Sequence, residues 1–552
     1  MRILAASIGN CVHVAGLQAF LRLAEVHGHD VVFLGPAVSP RRVAESVKEI
    51  NPDLVALSYR LSPETAAAVL KELASELIKD PSFRDRRFFF GGTPPVARLA
   101  QETGLFEHVF DGSEPYESVL SIVTEGPVQA KSETPPSNLA SRIKVSYPHP
   151  LIRHHFGLPD LDATIEGARR LAERKVLDIL SIAPDQNAQE SFFRSGELDP
   201  ALDGAGGVPL RKPEDLRAIY EATRRGNYPL LRCYSGTRDL IKWAEMLKET
   251  IAVAWGAVPL TWYSELDGRS KRPLEEAIAE NQRAIKWYAD NCIPVEVNES
   301  HQWALRGSGD VVELATAYLA AYNAKALGVR TYVCQFMFDT PKGISPAMDF
   351  AKMLAKLKFV ESLADDDFEI IRMVRTGLLS LSPSPDIAKG QMAASIYSAM
   401  SLKPHIVHVV GFCEADHAAT PEDIEESCVI ARGAIEKAVL GVPNAESDPV
   451  VASRKACLLD EAKFLIGAIK RLGVSRFKDP LSSSRNIAEA VRIGLLDAPD
   501  LRGTRVGKGR IVTAIVGGAC ITIDRVTGQP VTEKDRLREF APSNEDLDLV
   551  EI

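Results

Sequence analysis

The chain has 552 residues, 45% of them hydrophobic and 25% charged, with a formal net charge of −9. That length exceeds one ordinary domain and predicts two to four. The acidic balance argues against a nucleic-acid partner, which needs clustered cations to displace counterions, and no apolar run reaches the roughly 18 residues of a membrane span.

The N-terminal residues before Asn10 are too few and too mixed for a signal-peptide core and read as a first strand. Eight cysteines (11, 233, 292, 334, 413, 428, 457 and 520) are scattered without a CxxC pair. That distribution suggests reduced thiols and a cytoplasmic protein. MRILAAS then reads as a strand and AGLQAFLRLAEVHG as an amphipathic helix ended by Gly28. HDVVFLG, LVALSY and RRFFFGG alternate as strands with the helices PRRVAESVKEI, ETAAAVLKELASELI and PVARLAQETG, and HVFDG closes the series. Residues 1–125 are therefore expected to form a doubly wound α/β domain.

Residues 126–147, GPVQAKSETPPSNLASRIKVSY, carry turn formers and little apolar periodicity, and read as a linker. From 148 to 445 the alternation resumes. The candidate strands are VLDILSIA, NYPLLRCYS, ETIAVAWGAVPL, PVEVNES, VRTYVCQFM, FEIIRMVRTG and HIVHVVGF, most of them separated by helical stretches such as LEEAIAENQRAIKWYADN. Seven or eight such units have the rhythm of a (β/α)8 barrel. Residues 446–552 begin with a long helical run, Val450 to Arg471, followed by the β-rich GRIVTAIVGGACITIDRVTGQPV and a charged tail.

In a doubly wound sheet the ligand binds beyond the carboxyl ends of the strands. There the sequence places GNCVHVAG (9–16), SYRL (58–61), GGT (91–93) and DGS (111–113). Small residues at such ends let an extended ligand approach the backbone. The fingerprint GxGxxG is missing, which argues against a nicotinamide site. Cys11-Val12-His13-Val14-Ala15-Gly16, Ser58 with Leu61, and Gly91-Gly92 resemble the DxHxxG, SxL and GG motifs of the cobalamin-binding domain shared by methionine synthase, methylmalonyl-CoA mutase and glutamate mutase. The resemblance implies a flavodoxin-like fold with His13 as the lower axial ligand of cobalt. It places Cys11, Gly16, Ser58, Leu61, Gly91, Gly92, Thr93 and Gly112 around the cofactor. The dimethylbenzimidazole tail would occupy a slot lined by the Ser58 and Gly91-Gly92 turns. Two positions depart from the motif. Cys11 stands where the family has the Asp that orients the imidazole, and Arg60 stands at the usual spacing of the leucine.

YSGT at 234–237, Trp262-Tyr263, VNES at 297–300 and CEADHAAT at 413–420 resemble the catalytic barrel subunit of glutamate mutase (methylaspartate mutase). This resemblance implies adenosylcobalamin, a radical carbon-skeleton rearrangement, Glu414 as the ribose-binding glutamate and Tyr263 near the substrate. The family's substrate-gripping arginines fall on His155 and Tyr234, with Arg194 matching only loosely. Its amine-binding glutamate falls near Gly256-Ala257 and its lysine on Val410, so glutamate is not expected as the substrate. A polar or anionic small molecule is. Arg153, His154, Arg194 and Arg232 are the substrate-binding candidates, and His155, Tyr234, Tyr263 and Glu299 the catalytic ones. Glu299 owes its place to the end of a predicted strand, the usual catalytic address in a barrel.

Other readings stay open. His154 and His155 can be a solvated pair at the barrel rim, and Trp262-Tyr263 can be core packing. His408, Cys413, Glu414 and His417 can bind zinc, although their spacing matches no standard pattern. A corrinoid methyltransferase using methylcobalamin is the alternative function. Neither reading involves a nucleic acid or a membrane, and both allow a homodimer through the barrel.

Overall fold

Five short apolar runs pair in parallel as β1 (Arg2–Ser7), β2 (Asp30–Phe33), β3 (Leu54–Tyr59), β4 (Arg87–Gly92) and β5 (His108–Phe110), in the order β2-β1-β3-β4-β5. In this computed structural model residues 1–83, 86–114, 134–234 and 236–540 are described, together with 119 and 122. The chain divides into two units, Met1–Glu133 and Thr134–Ile552.

In the first unit, helices α1 (Ala15–Val26), α2 (Pro40–Ile50), α3 (Pro63–Ile78) and α4 (Pro94–Glu102) follow the first four strands in turn. Successive side chains of a strand point to opposite faces. Leu4, Ala6, Val55, Leu57, Phe88 and Phe90 accordingly fill one core, while Ile3, Ala5, Leu54, Ala56 and Phe89 fill the other. β3 is buried along its whole length, which is why LVALSY reads as an unbroken apolar run. Ser39 and Ser62 cap α2 and α3 by accepting the N–H of Arg42 and Thr65, each ahead of a proline in the first turn. Caps of this kind contribute about 1 kcal/mol each. The strand order reverses between β1 and β3, and that reversal opens the ligand crevice of such a sheet.

In the second unit eight parallel strands run in chain order around a barrel: β6 (Leu151–Phe156), β7 (Ile179–Ile182), β8 (Leu230–Cys233), β9 (Gly256–Val258), β10 (Val295–Val297), β11 (Thr331–Phe338), β12 (Glu369–Thr376) and β13 (Ile406–His408). The pairing is continuous from β8 through β6 and β13 to β9. At the remaining seam the Ala254 N–H donates to Leu231 O at 2.8 Å. β9 begins at Gly256, where a Cβ would meet the Tyr288 ring at 2.5 Å, so glycine lets that ring pack against the strand.

β6 was absent from the seven candidate strands because Arg153, His154 and His155 interrupt its apolar run. The segment 126–147 also needs correction. Residues from 134 on belong to the second unit, and Leu139–Ser146 is a helix. Its Leu139 and Ile143 pack against Leu151, Ile179, Leu230, Val333, Ile371 and Ile406, closing the floor of the barrel interior. Its Arg142 donates to the carbonyls of Pro136, Asn227 and Tyr228. Two apolar residues four apart are too few to register as a helical period. Residues 126–133 lie outside the described residues.

The C-terminal part is the helix Pro449–Gly473, then the antiparallel hairpin β14 (Thr513–Val516) and β15 (Ala519–Thr522). Gly517 and Gly518 both have positive φ and form its two-residue turn. Among the described residues no helix is long and apolar enough to cross a membrane.

Candidate functional site

At the carboxyl ends of β1, β3, β4 and β5 the first unit holds a cavity of about 440 Å³. Of the residues assigned to a cofactor from the sequence, His13, Gly16, Ser58, Gly91, Gly92, Thr93 and Gly112 line it. Leu61 does not, because it packs into the core beneath. Arg60, at the spacing where the motif has leucine, lines the cavity in its place. Cys11 is fully buried. Its sulfur accepts the Arg60 N–H at 3.3 Å and lies 3.9 Å from Nδ1 of His13, whose ring is exposed.

The glycines serve different ends. A Cβ on Gly16, Gly91 or Gly112 would meet nothing within 4 Å, whereas one on Gly92 would lie 3.1 Å from Phe90, Val96 and the Tyr59 carbonyl. Gly91 therefore keeps the cavity open, and Gly92 permits close packing behind it. The apolar wall comes from Leu17, Phe20, Leu23, Phe89 and Phe110, with Phe20 and Phe89 edge to face at 6.2 Å. Ser58 is buried, and its hydroxyl has no hydrogen-bond partner among the described residues. A buried hydroxyl left unpaired costs roughly 1–3 kcal/mol, which a ligand can recover.

The barrel interior changes character by one step of the strand period. Two residues beyond the apolar floor, Leu151 gives way to Arg153, Ile179 to Ser181, Leu230 to Arg232, Val333 to Gln335 and Ile406 to His408. On β12 the change comes one step later, from Ile371 and Met373 to Arg375. Arg232 donates to Oε2 of Glu296 at 3.0 Å, Trp255 Nε1 donates to the same oxygen at 2.8 Å, and Arg153 approaches it at 3.7 Å. Arg153 also donates to Ser181 Oγ at 2.7 Å. Burial alone would raise the Glu296 carboxyl, but Arg232 and Arg153 outweigh it and hold it below the ordinary range. Burial and the adjacent Arg232 push Arg153 down to about 9, so it stays charged at neutral pH.

Above this layer Tyr234 donates its hydroxyl to Nε2 of His155 at 2.6 Å, with the two rings stacked at 4.7 Å. Arg153 Nη2 lies 3.2 Å from the same nitrogen. Nε2 therefore accepts from both, and the ring proton sits on Nδ1, which is buried without a partner among the described residues. The His408 ring meets His155 edge to face at 4.5 Å, and its Nδ1 is likewise unpartnered. Burial and the nearby arginines hold His155, His301 and His408 well below the usual histidine range, so all three are neutral at pH 7.

Several sequence assignments need correction. Glu299 is buried and accepts from the Leu260 N–H (3.0 Å), the Thr261 N–H (2.9 Å), the Thr261 hydroxyl and Trp303 Nε1 (2.8 Å). It clamps the loop after β9 and has no free oxygen for catalysis. His154 points out of the barrel, donating Nδ1–H to the His155 carbonyl, and burial pushes it down to about 4. It is neither a rim residue nor a substrate contact. Arg194 is exposed and paired to Asp239 at 3.0 Å. Trp262 is core, edge to face with Trp303 at 4.8 Å. Tyr263 is buried at φ 61° with the Arg269 guanidinium 4.7 Å from its ring, and burial raises its phenol. Glu414 has its carboxyl raised by burial and drawn back by Arg375.

The predicted zinc cluster also separates. His408 faces the barrel interior, while Cys413, His417 and Asp423 gather within 4.8 Å of one another. His417 bridges Asp416 at 2.8 Å and Asp423 at 3.0 Å. Asp423 is meanwhile the capping-box partner of Thr420 at the start of the helix Pro421–Val439.

The residue that sequence reasoning missed is Arg375. Its signal was present in FEIIRMVRTG, where the period of two puts Ile371, Met373 and Arg375 on one face.

Residues 1–120 match the B12 binding domain family. This identifies the first unit as a B12-binding domain and supports a cobalamin-dependent protein. No curated protein sequence matches. Among solved structures, a novel cobalamin-binding protein from Desulfitobacterium hafniense is 25% identical over 22% of this chain and 55% of its own, with a TM-score of 0.19. This chain thus spans about half the length of that protein. A Rubisco-like protein from Rhodopseudomonas palustris is 11% identical over 55% of this chain and 69% of its own, with a TM-score of 0.31. The cobalamin-dependent S-adenosylmethionine radical enzyme OxsB is 11% identical over 79% of this chain and 56% of its own, with a TM-score of 0.16.

Proposed function

We propose that the chain is an adenosylcobalamin-dependent isomerase, a radical carbon-skeleton mutase acting on a polar or anionic small molecule other than glutamate. The observation that carries this reading is the joining, in one chain, of a B12-binding domain to an eight-stranded barrel whose interior is apolar at the floor and cationic above it.

The first unit's residues fit the cofactor. His13 offers an exposed imidazole at the cavity edge, Ser58 an orphaned hydroxyl, and Gly91 a wall that a side chain would fill. His13 would ligate the cobalt, and the Ser58 and Gly91 turns would hold the nucleotide tail. Adenosylcobalamin, when bound, supplies a weak cobalt–carbon bond as a source of radicals. The barrel supplies the rest. Its apolar floor, closed by Leu139 and Ile143, excludes water from below. Tyr234, His155 and His408 offer neutral polar groups to the substrate.

The test is reconstitution of the full chain with adenosylcobalamin under anaerobic conditions, followed by a screen of small polar acids. Substrate-dependent bleaching of the visible spectrum with recovery of an isomer supports the mutase. Corrinoid methyltransfer is the second reading, favoured by the Cys413, His417 and Asp423 grouping. Zinc-dependent demethylation of bound methylcobalamin, with the adenosyl form inert, would establish it instead.

A further inference from the structure

The barrel interior is short of negative charge. Arg153 and Arg232 share the single carboxylate of Glu296, and no carboxylate lies within 4 Å of the Arg375 guanidinium among the described residues. Among the described residues the one hydrogen bond of the Arg375 guanidinium is a long one, 3.4 Å, from Nε to the Thr376 carbonyl. Arginine does not shed its proton in proteins, and a buried charge is costly unless it is paired. Three guanidiniums set against Glu296, with Glu414 acting on Arg375 only from beyond 4 Å, leave the interior net positive, and the neutral histidines beside them add none.

The groups around Arg375 point the same way. The period of two that turns Ile371 and Met373 into the interior turns Arg375 inward as well, in register with His408 on β13, whose ring meets His155. In the interior Nδ1 of His155, Nδ1 of His408 and Nε2 of Gln335 are buried without partners among the described residues. A fixed fork of donors ringed by unsatisfied polar atoms is a site built for a planar oxyanion.

We propose that Arg375 anchors a carboxylate of the substrate through its free Nη atoms, making it the specificity-determining residue of the barrel. This rests on the reading of the barrel interior as the substrate site, but not on the cofactor or the reaction. The planar fork of a guanidinium matches the two oxygens of a carboxylate, and phosphate is the competing oxyanion that the experiment includes. Arg153 and Arg232 lie deeper, tied to Glu296, and set the field that the anion enters.

The experiment measures binding to the full chain without cobalamin, by calorimetry. The probes are acetate, propionate, succinate and glutarate, the matching amides, and inorganic phosphate. Wild type, Arg375→Gln, Arg375→Lys and the surface control Arg194→Gln are compared. Saturable carboxylate binding, weakened roughly tenfold or more in Arg375→Gln and less in Arg375→Lys, with the amides silent and the control unchanged, supports the proposal. Equal binding by wild type and Arg375→Gln overturns it, as does the absence of saturable carboxylate binding in wild type or a preference for phosphate. Should Arg375→Gln fail to fold, Arg375→Lys keeps the charge and loses the fork, and undiminished binding by that variant also overturns the proposal. A protein that binds carboxylates through Arg375 but never turns over with adenosylcobalamin would refute the mutase reading alone.

Discussion

The sulfur of Cys11 lies 3.9 Å from Nδ1 of His13 while accepting the backbone N–H of Arg60 at 3.3 Å. A thiol thus stands behind the imidazole as a weak partner, and the Arg60 amide fixes its orientation. Partners of a ligating histidine set its tautomer and basicity, and changing them alters metal affinity by about 10–100-fold. Cys11→Asp is expected to tighten histidine ligation of bound cobalamin roughly tenfold, because a carboxylate can accept both N–H groups. Cys11→Ala is expected to weaken it by less than that, since little is lost. Nitrogen hyperfine splitting in the cobalt spectrum, followed against cofactor concentration, reads both variants. Identical spectra in all three proteins would remove Cys11 from any orienting role.

The two adjacent glycines make a paired prediction. Gly91→Leu places a side chain where a Cβ meets nothing, so its melting temperature should stay near that of wild type while cobalamin uptake is lost. Gly92→Ala should do the opposite, destabilising the first unit by about 1–3 kcal/mol through contacts at 3.1 Å to Phe90, Val96 and Tyr59 O. Equilibrium gel filtration with the cofactor and thermal melts separate the two effects.

Legibility followed the sheet period. In the first unit each strand carries helix-covered apolar residues on both faces, and β1, β3 and β4 emerge close to where the sequence places them. In the barrel the inward face is where function sits, so apolar patterning fails there. β6 was hidden by Arg153 and His155, the interior groups that give the barrel its chemistry. Arg375 was overlooked for a related reason, because family motifs carried the search for anchors and none covers β12. Glu299 was misread because a strand-end carboxylate looks the same in sequence whether it faces substrate or, as here, four donors from the loop after β9 and from Trp303.

That arrangement makes Glu299→Gln a test of structure against catalysis. Whichever oxygen the amide nitrogen replaces, it meets a donor, the Leu260 and Thr261 N–H groups at Oε2 or Trp303 Nε1 at Oε1, leaving at least one buried group unpaired. The expected cost is about 2–3 kcal/mol of stability, visible as a lower denaturation midpoint with or without cofactor. A variant as stable as wild type but catalytically dead would restore Glu299 to the active site.

The buried histidines predict how the second unit responds to acid. His154 and His405 are pushed down to about 4, chiefly by burial, and His155, His301 and His408 lie well below the usual value. Each is neutral in the folded chain but takes a proton in the unfolded chain below about pH 6.5. The unfolded state therefore binds more protons, and stability falls as pH drops from 6.5 toward the folded values, by up to about 1.4 kcal/mol per pH unit for each histidine. Asp349 opposes this, since burial raises its carboxyl to about 7 and the folded state holds its proton across the same window. The carboxyls of Asp178, Glu299, Asp310, Glu414 and Glu461, raised by burial, and His417, raised by Asp416 and Asp423, act in the same sense as Asp349 with smaller shifts, and the five depressed histidines are expected to keep the net slope downward on acidification between pH 6.5 and 5.5. Urea midpoints measured across that window should fall, and His408→Asn should flatten the fall by about one histidine's share. A midpoint that rises on acidification would mean that the interior imidazoles are charged in the folded protein, and the charge count that leaves room for an anion at Arg375 would fail with it.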